Sequence, residues 1–181
     1  MEQTPRPERE QENDNIQNIT FVNTEMIRHA LGEVQKAREE YQALLEKAEL
    51  GDTSVFFELG NRCLSGDGTE RSPERAVEWF RQAAEQGDPR GTEALGRCYH
   101  LGTGVEQDEE RAFQLFSQAA DQGLLSSVCD LGLCYEAGSG TPMDLERAAE
   151  LYTQAAEQGY APAQCNLAVC YLNGIGVEKD P

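Results

Sequence analysis

The chain has 181 residues, with 15 Lys plus Arg against 33 Asp plus Glu, a formal charge of -18 and a sequence pI near 4.4. That field repels phosphate backbones and anionic lipid heads, which argues against nucleic acid or a membrane surface as a partner. No apolar run approaches the ~20 residues needed to cross a bilayer. The polar opening Met1-Glu2-Gln3 has no apolar signal core, so a cytoplasmic location is expected.

Residues 1–22 carry Pro5, Pro7 and many Gln and Glu, and they read as a disordered acidic tail. From Thr24 the pattern changes. Met26, Ile27, Ala30, Leu31, Val34, Ala37, Tyr41, Leu44, Leu45 and Ala48 fall on one helical face, with Asn23 or Thr24 as N-cap. A capping helix is predicted over 23–51, stopped by Gly51, its second half in phase with the segments that follow.

Those segments repeat. Leu59-Gly60, Leu95-Gly96, Leu131-Gly132 and Leu167-Ala168 stand 36 residues apart, as do Gly68, Gly104, Gly140 and Gly176. Gln86-Gly87, Gln122-Gly123 and Gln158-Gly159 keep the same period. A fixed period of this size means a stack of supersecondary units. The units are 52–87, 88–123, 124–159 and an incomplete 160–181. Each reads as helix A, a Gly-x-Gly loop and helix B. Helix A is predicted over roughly 53–65, 89–101, 125–137 and 161–173, and helix B over roughly 73–86, 109–122 and 145–158. Ser72, Asp108, Asp144 and Asp180 stand at the N-cap of helix B, worth ~1 kcal/mol each. Pro73 and Pro181 follow two of them at the first helical position, and Gly87, Gly123 and Gly159 suit the left-handed stop.

On helix A, positions 56, 59, 60 and 63 and their equivalents lie within ~100° of arc and form the core stripe. The small residue after the Leu lets helix B approach. On helix B, Ala76, Phe80, Ala83 and Ala84 recur as Ala112, Phe116, Ala119, Ala120 and as Ala148, Tyr152, Ala155, Ala156, small and large alternating so that antiparallel helices interdigitate.

The string Leu-Gly-x-Cys-Tyr-x-x-Gly-x-Gly-Val, the Asp cap and the ending Ala-Ala-x-Gln-Gly resemble the Sel-one-like repeat, a relative of the tetratricopeptide repeat. The likeness extends from about residue 52 to the end, with a partial unit before it. Arg62 departs from the Cys of the other repeats, and Thr69 and Thr141 from the Val of the loop, changes expected to weaken local packing. The resemblance implies an all-α, right-handed α-solenoid that serves as a non-enzymatic adaptor for protein complexes.

Candidate chemistry is sparse. Gly102-Thr103-Gly104 lacks the preceding strand and the offset Gly or Lys of a phosphate loop, and its repetition points to turn geometry. Cys129 and Cys134, like Cys165 and Cys170, are ~140° apart on a helix and cannot chelate one metal together. Cys98, Cys134 and Cys170 share a repeat position near the core and read as small hydrophobes. His29 and His100 have no motif-spaced nucleophile or carboxylate. No catalytic residue, metal site or cofactor is expected. Cysteine-rich relatives suggested to bind β-lactams or cell-wall fragments give an alternative hydrolase-class reading. They link helix A to helix B through disulfides, and here all six Cys fall on helix A.

Away from the core stripe, its centre ~120° around helix A, lie Phe57, Asn61, Leu64; Glu93, Arg97, His100; Cys129, Leu133, Glu136; and Cys165, Val169, Leu172. In solenoids this array lines the concave surface, and its apolar members exceed what a solvated face requires. A protein or peptide partner is expected there, with Arg97 and His100 offering positive charge to an acidic ligand. Asp180-Pro181 occupies the repeat position of Ser72-Pro73, where a fourth helix B is due, leaving Leu167, Tyr171 and Leu172 without cover. A fragment boundary at 181, at least one further helix in the natural protein, and self-association through this open end are the corresponding expectations.

Overall fold

In the computed structural model the backbone is described for residues 8–177 and the side chains for residues 24–177. Eight α-helices and no strands occur among them: α1 (Glu8–Glu49), α2 (Phe56–Ser65), α3 (Pro73–Glu85), α4 (Pro89–Leu101), α5 (Glu109–Asp121), α6 (Leu125–Ala137), α7 (Leu145–Glu157) and α8 (Ala161–Asn173). A 3-10 turn over Thr53–Val55 leads into α2. Helices α2, α4, α6 and α8 are the four A helices, and α3, α5 and α7 are the B helices. Each packs chiefly on the helices before and after it in the chain, which is the architecture of an all-α solenoid.

The helix ends have the expected causes. The Ser72, Asp108 and Asp144 side chains accept from the backbone N–H groups of Arg75, Arg111 and Arg147. The fourth cap, Asp180, lies outside the described residues, as does Pro181. Within each loop the cap residue's own N–H turns back to helix A: Asp108 donates to the Tyr99 carbonyl at 3.0 Å, and Ser72 and Asp144 repeat the bond with Cys63 and Tyr135. The loop is thereby a fixed clasp between the two helices of a unit.

Two contacts hold the stack. Inside a unit, Gly96 lies against the Phe116 ring, where an added Cβ would come within 2.9 Å of a ring carbon; Gly60 meets Phe80 and Gly132 meets Tyr152 in the same way. Between units, Gly104 (φ +71°) sits on the first turn of α3, against the Pro73 carbonyl and 2.8 Å from the Glu74 nitrogen as measured to an ideal Cβ. Gly140 and Gly176 repeat this on Glu109 and Leu145, and Gly68 makes it with Ala37. Ala37 is 36 residues before Pro73, so the second half of α1 occupies the helix B place ahead of the first repeat.

The start of α1 differs from expectation. The helix begins at Glu8, not near Thr24, so residues 8–22 continue it instead of forming a disordered tail. From Glu8 to Leu31 there is neither Gly nor Pro to interrupt a helix. Residues 1–7 of the expected tail lie outside those described. From Met26 to Ala48 the apolar stripe of α1 is continuous, but only its later part packs: Tyr41 is buried and Leu44, Leu45 and Ala48 lie on the core. Met26, Ile27, Leu31 and Val34 are exposed.

Departures in the first repeat do not loosen it as expected. Arg62 pairs with Glu40 of α1 at 3.0 Å, with Glu58 at 3.0 Å and with Asp67 at 3.2 Å. It fastens the capping helix to the stack. Where Tyr99 lies under the Arg111 guanidinium, the equivalent Cys63 is too small, and Tyr41 from α1 takes the place, accepting from Arg75 at 2.9 Å.

Replacing Gly104 with Ala joins a left-handed φ to a clash with the Pro73 carbonyl, and a loss of ~2–4 kcal/mol is expected. Gly123→Ala has the same sign of φ but no neighbour within 4 Å, and should cost only ~1 kcal/mol. Thermal melts of the two variants check this; equal losses would mean that the loop does not bear on the preceding helix.

Candidate functional site

Because the second glycine of each loop seats on the preceding helix, the A helices stand side by side and present one face in common. Eight of the expected residues on it line two adjoining hollows. The smaller, about 270 Å³, is bordered by Phe57, Asn61, Leu64, Glu93, Arg97 and Leu101. The larger, about 600 Å³, lies between α4, α5 and α6, with Arg97, His100, Leu101, Phe116, Asp130, Leu133, Glu136 and Ala137 around it. Arg97 and Leu101 border both, so the hollows join as a trough across the A helices. Leu101 is 69% exposed and Leu133 47% exposed.

Other expected members are placed differently. Cys129 is buried, its sulfur accepting from Asn166 Nδ2 at 3.4 Å, so it spaces α6 from α8 and lines no groove. The deviation arises because position 129 lies only ~60° from Gly132 on the helix, at the edge of the core stripe, where the neighbouring helix covers it. Phe57 is half-buried, tilted on Phe80 with centroids 6.0 Å apart and capped by the Arg90 guanidinium at 4.9 Å. Cys165, Val169 and Leu172 are exposed on α8, beyond the two hollows.

The charges of the trough are already engaged. Arg97 Nη2 reaches Asp130 Oδ2 at 3.2 Å on the next A helix and Glu93 Oε1 at 3.4 Å on its own. Ser127 Oγ, fully buried, donates to Glu93 at 3.3 Å. His100 Nδ1 lies 2.7 Å from Glu109 Oε2, and Tyr152 donates to Glu136 at 2.7 Å. Burial pushes the Asp130 carboxyl above the ordinary carboxylate range; Arg97 pulls it back while Glu93 adds to the rise. One guanidinium is thus held between two carboxylates, Glu93 and Asp130, while a third, Glu136, lines the same hollow. Arg97 and His100, expected to offer positive charge to an acidic ligand, are each engaged by carboxylates of the chain itself.

Sequence reasoning missed Leu101 and Asp130. Leu101 stands four residues after Arg97, at position 65 of the first repeat's numbering, and the i, i+4, i+8 row from 57 already pointed to it. Asp130 gave no such signal, since its partner Arg97 is 33 residues away and only the lateral spacing of α4 and α6 joins them.

Nothing nucleophilic is activated here. All six thiols are unpaired, and burial lifts Cys98 and Cys134 to about 11, which keeps them protonated at neutral pH. No group of three or more metal-ligating side chains occurs among the described residues. No described helix is long and apolar enough to cross a membrane.

The Sel1 repeat profile matches residues 57–88, 90–124, 126–160 and 161–181. A Sel1 repeat protein from Oxalobacter formigenes superposes with a TM-score of 0.76 at 33% identity, over 80% of this chain and 57% of that one. The protective antigen c5321 of uropathogenic Escherichia coli, which displays an SLR fold, gives 0.70 at 30% identity over 85% of this chain and 37% of that one. This chain therefore spans little more than half, or less, of their lengths. Cysteine-rich protein B of Helicobacter pylori, at 22% identity and a TM-score of 0.56, shares the fold, over 70% of this chain and 96% of that one. No curated protein shows a significant match. The four matched repeats, the 36-residue clasp-and-stack geometry and these likenesses agree: the chain belongs to the Sel1 repeat family.

Proposed function

We propose that this chain is a non-enzymatic interaction scaffold that holds a peptide or a protein segment in the trough on its helix A face. Sel1 repeat proteins are generally protein-interaction scaffolds. The observation that carries the choice of face is the trough itself, with Leu101 and Leu133 exposed beside hollows of about 600 and 270 Å³. Apolar side chains at that exposure in a concave setting gain from a covering partner. Six unpaired thiols, five of them buried, suit a reducing compartment, and a cytoplasmic site of action fits them.

A second reading, self-association through α8, is favoured by one observation: Tyr171 and Leu172 are 42% and 66% exposed on the same helix. Tyr171→Glu with Leu172→Glu should then lower the sedimentation-average mass at high protein concentration. An unchanged mass sets this reading aside.

For the scaffold itself, the double variant Leu101→Asp/Leu133→Asp places charge in the trough without touching the core. Proteins retained by the immobilised wild-type chain should be lost from this variant, while helical circular dichroism and the melting temperature stay unchanged. A control at Gln154 on the exposed side of α7, Gln154→Ala, should retain them. Retention by the double variant at the wild-type level would place the binding surface elsewhere.

A further inference from the structure

We propose that the larger hollow receives the side chain of an arginine or lysine that a partner peptide carries next to an aliphatic residue. This rests on the helix A face being the docking surface and names what that surface selects.

The hollow between α4, α5 and α6 has an apolar floor and an acidic rim. Phe116 is buried beneath it, and Leu101, Leu133 and Ala137 form its sides. Above these stand Asp130 and Glu136, with Glu109 behind His100. A long cationic side chain fits such a surface in two parts, its methylenes on the apolar floor and its charged head among the carboxylates. Leu101 also borders the smaller hollow, where Phe57 and Leu64 supply the surface for the aliphatic neighbour.

Charge decides between ligands. Arg97 is the one guanidinium in the trough, and its bonds to Asp130 and Glu93 are long, 3.2 and 3.4 Å, with its side chain 51% exposed. Glu93, Asp130 and Glu136 outnumber it, and burial already disfavours the ionised form of Asp130. An incoming cation relieves that excess. An acidic ligand would have to take Arg97 from two carboxylates while standing in the field of a third. The -18 charge of the chain draws cationic segments toward it from a distance and repels anionic ones.

The test is a random twelve-residue peptide library displayed on phage and panned against the full 181-residue chain. Enriched peptides should share Arg or Lys within a few residues of Leu, Ile, Val or Met. A synthetic consensus peptide should bind roughly tenfold more weakly to Glu136→Gln and to Asp130→Asn, and not to the α7 control Glu157→Gln. Glu136→Gln keeps an acceptor for Tyr152, so it is the safer variant if Asp130→Asn lowers the melting temperature by freeing Arg97. Binding should also weaken as salt rises from about 50 to about 500 mM. Enriched peptides that are acidic or uncharged, yet lost on Leu133→Asp, would overturn this inference and leave the docking face standing. Peptides insensitive to both Leu133→Asp and Leu101→Asp would place the site elsewhere and overturn the docking face as well. A library that enriches nothing overturns both.

Discussion

The contact on which the rest depends is a loop glycine resting on the backbone of the preceding helix. Gly104 rests on the first turn of α3, Gly140 and Gly176 rest on the first turns of α5 and α7, and Gly68 rests at Ala37 within α1. There is no room for a side chain between the two backbones, so the spacing of successive units is set by peptide groups and not by rotamers. A second contact without slack, Gly96 on Phe116 and its equivalents, sets the spacing of the two helices inside a unit. With both distances fixed, the A helices fall into a row. The trough on their common face follows from that row; no single repeat contains it.

The fold was legible in the sequence because its determinants are local and repeated. Each cap, each left-handed glycine and each Gly–aromatic pair lies within one period, and four copies of a pattern correct for the departures in any one. The site was legible only in part. Arg97, Leu133 and Glu136 were found from their angle on the helix, yet the pairing of Arg97 with Asp130 joins residues 33 apart through the lateral packing of α4 and α6. The same lateral packing buries Cys129 against Asn166. An angular argument treats each helix alone and does not see how far a neighbour rolls it. The start of α1 escaped for another reason: residues 8–22 lack an apolar stripe dense enough to mark a helix, while their composition still permits one.

The first repeat shows how a stack accommodates an irregular unit. Cys63 and Arg62 exchange the usual order of bulk and small side chain, which alone would leave a void beside Arg75. Tyr41 fills it from α1, its hydroxyl meeting both Cys63 and Arg75. Arg62, freed from the core, turns outward to Glu40 and so ties down the helix that supplies the tyrosine. These changes belong together. Each is explicable only with the capping helix in place, so α1 is part of the packed body from Ala37 onward.

The same separation of roles explains where specificity resides. The positions that hold the stack, such as Gly60, Phe80 and Ala83, recur as Gly96, Phe116 and Ala119 and again as Gly132, Tyr152 and Ala155. The position of Asn61 recurs as Arg97, Leu133 and Val169, and that of Leu64 as His100, Glu136 and Leu172. Side chains facing the trough change from unit to unit while those facing the core do not, because only the core is bound by the two close contacts. Repetition builds the shelf, and its interruptions decide what the shelf holds. An acidic rim over an apolar floor arises at one step only, between the second and third repeats, where Arg97, Asp130 and Leu133 meet. The first step presents Phe57 and Leu64 with the single carboxylate Glu93, and the last presents Val169 and Leu172. Successive steps of the row therefore present different surfaces, although all of them are built on one repeated pair of close contacts.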